Sequence, residues 1–118
     1  MPSYKTKRIA SMMVEVISDI LANEASDELL KTITITGCEV TNDLSFAKVY
    51  FTSLSNLTKD ELEKELNEAS HYVRGEVSKR IELRHTPEIR FIFDESIEYG
   101  NKIEKIIKEI HKEDKNEG

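Results

Sequence analysis

The chain has 118 residues, of which 38% are hydrophobic and 34% charged, and its net charge is -6 at pH 7. This length provides one core and is too short for two, so we expect a single domain. No segment approaches the roughly 18 uninterrupted apolar residues that a membrane span needs. The N-terminus lacks the apolar stretch of a secretory signal, and we therefore expect the protein to stay in the cytosol.

The first predicted element is a helix from Tyr4 to about Ala25. Apolar side chains recur there at steps of three and four residues, which places them on one side of a helix. They are Ile9, Met13, Val16, Ile17, Ile20 and Leu21. This face should cover a hydrophobic core.

Two strands are predicted next, at Thr32–Glu39 and Phe46–Thr52, because both segments alternate with the two-residue period of a half-buried strand. The polar residues 41–43 suit a turn between them, since Asn and Asp hydrogen-bond to their own backbone. We therefore expect a hairpin. Gly37, close to the end of the first strand, marks a candidate β-bulge.

Two consecutive helices and a third strand are predicted in the second half of the chain. Thr58–Glu61 matches a capping box, in which the Thr hydroxyl and the Glu carboxylate each bond a free backbone N–H at a helix start. The apolar spacing pauses at Ser70 and resumes as far as Ile81. Pro87 disfavours further helix, and Glu88–Phe93 alternates like a strand.

A last helix is predicted from regularly spaced isoleucines near the C-terminus, namely Ile97, Ile103, Ile106, Ile107 and Ile110. Residues 112–118 contain no core residue and are expected to form a disordered charged tail after a domain of residues 1–111. The crossover between the second and third strands is long enough to make them parallel. The sequence therefore predicts an α+β fold with its helices on one face of a three-stranded sheet.

Three stretches of the chain together resemble the ribosome-binding factor A family. They are Gly37–Thr52 (GCEVTNDLSFAKVYFT), Leu83–Phe91 (LRHTPEIRF) and Asp94–Gly100 (DESIEYG). The resemblance runs from about Arg8 to Ile107 and implies a type II KH-like domain, in the order α-β-β-α-α-β with a C-terminal helix. It also implies a ribosome assembly factor that binds the immature small (30S) ribosomal subunit and assists late maturation and processing of 16S rRNA, notably in the cold.

The resemblance further implies a cytoplasmic monomer whose partners are the small subunit, its rRNA and other small-subunit assembly factors. The family joins its two central helices through an Ala-x-Gly kink, and Ala69, Ser70 and His71 occupy that place here. His replaces the Gly, and His is among the residues found more often than most at positive φ. The Gly-x-x-Gly loop of ordinary KH domains is absent, so rRNA in its ribosomal setting is implied instead of generic single-stranded RNA.

The candidate RNA-binding residues are basic side chains in an otherwise acidic protein, whose net charge alone argues against nucleic acid. One group forms a predicted strip on or just after the third helix, and it consists of Arg74, Lys79, Arg80 and Arg84. Such a strip can follow phosphates. The alternative is that Glu76 and Glu82 pair with these cations and the strip is an ordinary solvated face.

Four further basic residues extend this hypothesis. Lys48 and Arg90 fall on outward positions of the second and third strands, beside Tyr50, whose ring can stack on a base. Lys7 and Arg8 belong to a basic N-terminal arm, which is a common electrostatic anchor and equally a common solubilising terminus.

No catalytic or metal-binding motif stands out. His71, His85 and His111 are too scattered for a metal site, and Cys38 has no partner at zinc-ligand spacing, so we interpret it as a packing residue. A phosphate-binding loop and a nucleophile elbow are also missing. We expect a non-enzymatic protein without a cofactor. The alternative function is a KH-like protein-interaction module that does not bind RNA, which salt dependence of binding would distinguish.

Overall fold

The computed structural model describes residues 4–23 and 27–96. Their elements, in chain order, are α1 (Tyr4–Ala22), a 3-10 turn (Leu30–Thr32), β1 (Ile33–Val40), β2 (Phe46–Ser53), α2 (Lys59–Glu68), α3 (Ser70–Arg80) and β3 (Glu88–Phe93). This order confirms the predicted sequence of elements up to the third strand. The predicted C-terminal helix and the tail of residues 112–118 lie outside the described residues.

The sheet has the strand order β1-β2-β3, in which β1 is antiparallel to β2 and β2 is parallel to β3. The predicted bulge is confirmed, because the register between β1 and β2 shifts between Ile35 and Gly37. The extra residue keeps apolar side chains directed toward the core on both sides of the bulge, with Ile35 opposite Phe51 and Val40 opposite Ala47.

The core lies between the helices and one face of this sheet. Its fully buried side chains come from every helix and from β2 and β3, and they include Met13, Ile17, Val49, Phe51, Leu66, Val73, Val77 and Phe91. Phe51 contacts Phe91 and Phe93 edge to face, with ring centroids 6.4 Å and 5.6 Å apart. The three described helices therefore cover one sheet face, and no described helix covers the other, which we call the open face.

The hairpin turn between β1 and β2 is held by one carboxylate. Asp43 accepts hydrogen bonds from the Thr41 hydroxyl (2.8 Å) and from both the hydroxyl (2.7 Å) and the backbone N–H (3.1 Å) of Ser45. These bonds to the ionised form hold the pKa of Asp43 below its ordinary value. Leu44, at φ 62°, takes the left-handed conformation that closes the turn.

This carboxylate makes a testable contribution to acid stability. Because the folded-state pKa of Asp43 is lowered, its stabilisation is complete above the unfolded pKa of about 3.9 and is lost as pH falls through the folded value. We expect Asp43→Ala to be less stable than wild type in urea denaturation at pH 7, and the gap to shrink at pH 3. An equal gap at both pH values would contradict this assignment.

The junction of α2 and α3 is a helical kink without a left-handed residue. Ala69 lies between the helices at φ -87° and ψ -5°, and the Ser70 hydroxyl donates to the Asn67 carbonyl at 2.8 Å. Among the described residues other than glycine, only Leu44 has a positive φ. His71 therefore does not imitate the missing Gly by its backbone conformation, and it lies in the first turn of α3 as an ordinary helical residue.

The outer edge of β3 is capped by side chains of α2. Asn67 donates to the Phe91 carbonyl at 3.1 Å and accepts from the Phe91 N–H at 2.9 Å, as a neighbouring strand would. Glu63 accepts from the Phe93 N–H at 2.9 Å. These contacts fix the two-helix unit against the sheet and so set the position of the kink.

Candidate nucleic-acid interface

A groove with basic walls lies between α3 and the loop that leads to β3. It has a volume of about 360 Å³ and is lined by His71, Arg74, Gly75, Ser78, Arg84, His85 and Thr86, which we call the α3 groove. A smaller cavity of about 200 Å³ adjoins it through His71 and Arg74 and reaches Glu88 and Ile89 at the start of β3. The α3 groove thus extends from the kink to the edge of the sheet.

Arg74 ties the loop to the helix. Its Nε and Nη2 atoms both donate to the Thr86 carbonyl, at 3.1 Å and 2.8 Å, and its side chain is half-buried. A guanidinium has five N–H donors, so this contact leaves others for a ligand. Arg74 therefore has a structural role that the sequence did not indicate, and it fixes the backbone next to Arg84 and His85.

Arg84 and His85 are exposed on that loop, and His71 is exposed on α3. In the part of the chain that the structure describes, Arg84 forms no salt bridge. Gly75 also lines the groove, and the helix surface there is open, because a Cβ built at Gly75 would meet nothing within 4 Å. The α3 groove therefore combines an unpaired guanidinium with an accessible stretch of helix, which suits an anionic ligand of phosphate size.

The other two residues of the predicted basic strip, Lys79 and Arg80, do not line the α3 groove, and each forms an ion pair. Lys79 pairs with Glu76 at 3.2 Å, as the alternative interpretation expected. Arg80 pairs with Asp19 of α1 at 2.7 Å, and not with Glu82. The four predicted residues therefore divide into two that line the α3 groove and two that meet carboxylates elsewhere.

Lys48 and Arg90 lie on the open face of the sheet, where they are adjacent in register and exposed. Glu39 is opposite Lys48 on the other side, so the three form one cross-strand row. Tyr50 lies in the next row. Burial, together with the Glu39 and Asp94 carboxylates, raises the pKa of Tyr50 above its ordinary value.

The N-terminal basic residues lie within α1, as the predicted helix from Tyr4 implies. Lys7 and Arg8 lie on the first half of α1, and both are exposed. Lys7 lines a different groove, along β1. The structure therefore places the predicted basic residues on three surfaces, namely the α3 groove, the open sheet face and α1.

Two histidines that line the α3 groove, His71 and His85, are not among the RNA-binding residues that the sequence predicts. The sequence pattern points to His71 only as a kink residue, and it shows His85 only as one of three scattered histidines. A signal existed, since Arg84 and His85 are consecutive in one of the stretches that carry the family resemblance. What the sequence lacked was the contact of Arg74 with Thr86, which brings both histidines to one groove.

Residues 4–23 and 27–96 contain no cluster of three or more His, Cys, Asp or Glu side chains able to hold a metal ion. Within the same ranges, no helix is both long and apolar enough to cross a membrane.

Cys38 is predicted to be chemically inert in the folded protein. Burial, with a smaller effect of Glu39, raises the pKa of its thiol to about 12, and the thiolate is the reactive form. We expect alkylation by iodoacetamide at pH 8 to be at least about a hundredfold slower in the native protein than in denaturant. Comparable rates in the two states would show that the thiol is accessible.

The topology defines the class of protein. The order α-β-β-α-α-β, with a mixed three-stranded sheet and helices on one face, is that of a two-layer α+β domain. The family model for ribosome-binding factor A matches residues 5–107. The chain therefore belongs to the ribosome-binding factor A family, a family of ribosome-binding factors.

Individual relatives agree with this assignment. Ribosome-binding factor A of Staphylococcus epidermidis is 45% identical over 116 residues, which cover 98% of this chain and 100% of that protein. The crystal structure of ribosome-binding factor A from Thermus thermophilus shares the fold, with a TM-score of 0.66 at 16% identity over 75% of this chain and 96% of that one. A Thermus thermophilus homology model fitted into a cryo-EM map of a 30S complex shares it too, with a TM-score of 0.63 at 14% identity over 76% and 96% of the two chains.

Proposed function

We propose that this protein binds the immature small ribosomal subunit and assists late maturation and processing of its 16S rRNA, with the largest effect in the cold. Family membership supports a ribosomal role, and the Thermus thermophilus relative is described in a complex with 30S. The observation that carries the proposal in this chain is the α3 groove, in which Arg74 and Arg84 converge beside two histidines.

In this proposal the α3 groove binds rRNA phosphates. Arg84 is unpaired within residues 4–23 and 27–96, so it meets a phosphate without first breaking an ion pair. Arg74 contributes donors that the Thr86 contact does not use. Charge-assisted hydrogen bonds of this kind are about twice as strong as neutral ones. The contacts fix register on the RNA without reading its sequence, which suits binding to one structured rRNA site.

The open sheet face supplies a second contact surface in the same proposal. Lys48 and Arg90 lie side by side there, and Tyr50 adds a ring that a base can stack on. Lys7 and Arg8 add positive charge on α1. The acidic net charge of the chain is then compatible with RNA binding, because the basic groups are local to these surfaces.

The protein acts by binding and catalyses no bond chemistry. It shifts the rRNA between immature and mature conformations by its difference in affinity for the two states. RNA misfolds last longer at low temperature, so the effect is largest in the cold. We propose the cytoplasm as the site of action, because small subunits are assembled there.

Co-sedimentation with purified subunits tests this function directly. We expect binding to precursor and mature small subunits that weakens as salt rises, and no binding to large subunits. In a strain depleted of the protein, unprocessed 16S precursor and free subunits should accumulate, most of all at low temperature. Failure to bind either form of the small subunit would reject the proposal and favour a module that binds only protein.

A further inference from the structure

A second groove lies along β1, at the edge of the described sheet opposite to β3. It has a volume of about 700 Å³ and is lined by Thr6, Lys7, Ala10, Cys38, Glu39, Val40, Thr41 and Asn42, which we call the β1 groove. Its walls are the first half of α1 and the part of β1 that follows the bulge. Ala10, Cys38 and Val40 make its centre apolar, whereas Lys7 and Glu39 are exposed.

Within residues 4–23 and 27–96, the backbone of β1 presents hydrogen-bonding groups without a partner along this groove. The Thr41 N–H donates to the Phe46 carbonyl at 3.0 Å, which marks Thr41 as a residue whose backbone faces β2. Backbone direction alternates along an antiparallel strand. Glu39 and Gly37 therefore also face β2, while the N–H and C=O groups of Cys38 and Val40 point away from it. In the described ranges no strand flanks β1 on that side.

At the opposite edge of the sheet, side chains of α2 bond the outward-facing backbone groups of β3. Asn67 occupies both backbone groups of Phe91, and Glu63 accepts from the N–H of Phe93. Cys38 and Val40 have no comparable side-chain partner among residues 4–23 and 27–96. Exposed edges are normally blocked because they pair with other chains. The bulge at Ile35–Gly37 interrupts only the first half of β1, and the second half remains regular.

We infer that the β1 edge binds an extended protein segment by strand addition, and that the segment alternates apolar, basic and apolar residues. Residues paired with Cys38 and Val40 direct their side chains into the β1 groove, where an aliphatic group packs on Ala10. The residue between them lies on the open face opposite Glu39, whose carboxylate favours Lys or Arg.

A second copy of the chain is the poorer occupant. The symmetric antiparallel pairing that uses both Cys38 and Val40 is centred on Glu39, and it sets Glu39 of one copy directly opposite Glu39 of the other. Like charges at directly opposed positions destabilise a strand pair. Charge complementarity therefore favours a basic foreign segment.

An NMR titration with the peptide acetyl-Thr-Val-Lys-Val-Thr-amide tests the inference without RNA, and so separately from the proposed ribosomal function. We expect the backbone amide signals of Cys38 and Val40 to shift, and this peptide to bind at least threefold more tightly than its Val-Glu-Val counterpart. Glu39→Lys should reverse that preference. Ala10→Gln should fill the groove and weaken binding at least threefold, while Ser11→Gln on the exposed side of α1 serves as its matched control.

Three outcomes would overturn the inference. The first is the absence of shifts at Cys38 and Val40 up to several millimolar peptide. The second is a set of shifts centred on the α3 groove or on Lys48 and Arg90, which would show peptide binding to another surface. The third is an unchanged peptide preference in a folded Glu39→Lys variant.

Discussion

Arg84→Glu is expected to lower the affinity for the small ribosomal subunit by about tenfold or more, because a charge-assisted contact with phosphate contributes roughly 1.5–3 kcal/mol. Arg84 is exposed, lines the α3 groove and forms no salt bridge within the described residues. Its replacement should therefore leave folding intact. The slope of log affinity against log salt should also become shallower by about one.

Lys79→Glu is the matched control for this variant. It makes the same change of charge on a neighbouring surface, but Lys79 pairs with Glu76 and does not line the α3 groove. We expect its loss of affinity in co-sedimentation to stay below about threefold. An exposed charge that does not contact the RNA attracts it only over a distance, and salt screens that attraction. Equal losses for the two variants would show that only overall charge matters. No loss for either would exclude the α3 groove from subunit binding.

Arg80 is a less informative choice for such an experiment, although the sequence places it in the same strip. Its guanidinium binds Asp19 at 2.7 Å, so Arg80→Glu would set two carboxylates against each other between α3 and α1. A loss of binding in that variant would combine lost RNA contact with strain between the helices. Arg84 is therefore a better residue than Arg80 for testing RNA binding by mutation.

Local signals explain why much of the fold was predictable. Apolar spacing located α1 and the two central helices, and alternation after Pro87 placed β3 at Glu88–Phe93, the bounds that the structure shows. Thr58 accepts from the Glu61 N–H at 3.2 Å, as half of the predicted capping box requires. Each of these features depends on residues close together in the chain. The interactions that form them are therefore visible in the local sequence pattern.

The candidate site was less predictable because its decisive contacts join distant residues. Arg80 and Asp19 are 61 positions apart, so periodicity could not show that this cation is paired. Arg74 looked like a free cation of the strip, yet its contact with Thr86 makes it part of the loop architecture. The edge position of β1 in the described sheet was equally hidden, because the place of a strand in a sheet leaves no mark in its side-chain pattern.

Asn67→Ala is expected to destabilise the protein by about 2–3 kcal/mol, because it leaves a half-buried backbone N–H and C=O without their partners. Asn67 bonds both groups of Phe91, at 2.9 Å and 3.1 Å, and its amide also donates to the Glu63 carbonyl at 2.8 Å. Phe91 itself is 1% exposed and contacts Phe51 in the core. The free energy of unfolding from urea denaturation measures this loss.

Asn67→Asp refines the same test, since its carboxylate still accepts from the Phe91 N–H but opposes the Phe91 carbonyl that the amide had bonded. It should also destabilise the protein, because it removes a donor and sets two acceptors together. Lys64→Ala, at an exposed position of α2, should change stability by no more than about 0.5 kcal/mol. If Asn67→Ala were equally mild, α2 would be held by its apolar packing and by the contact of Glu63 with the Phe93 N–H. Its position beside β3 would then not depend on Asn67.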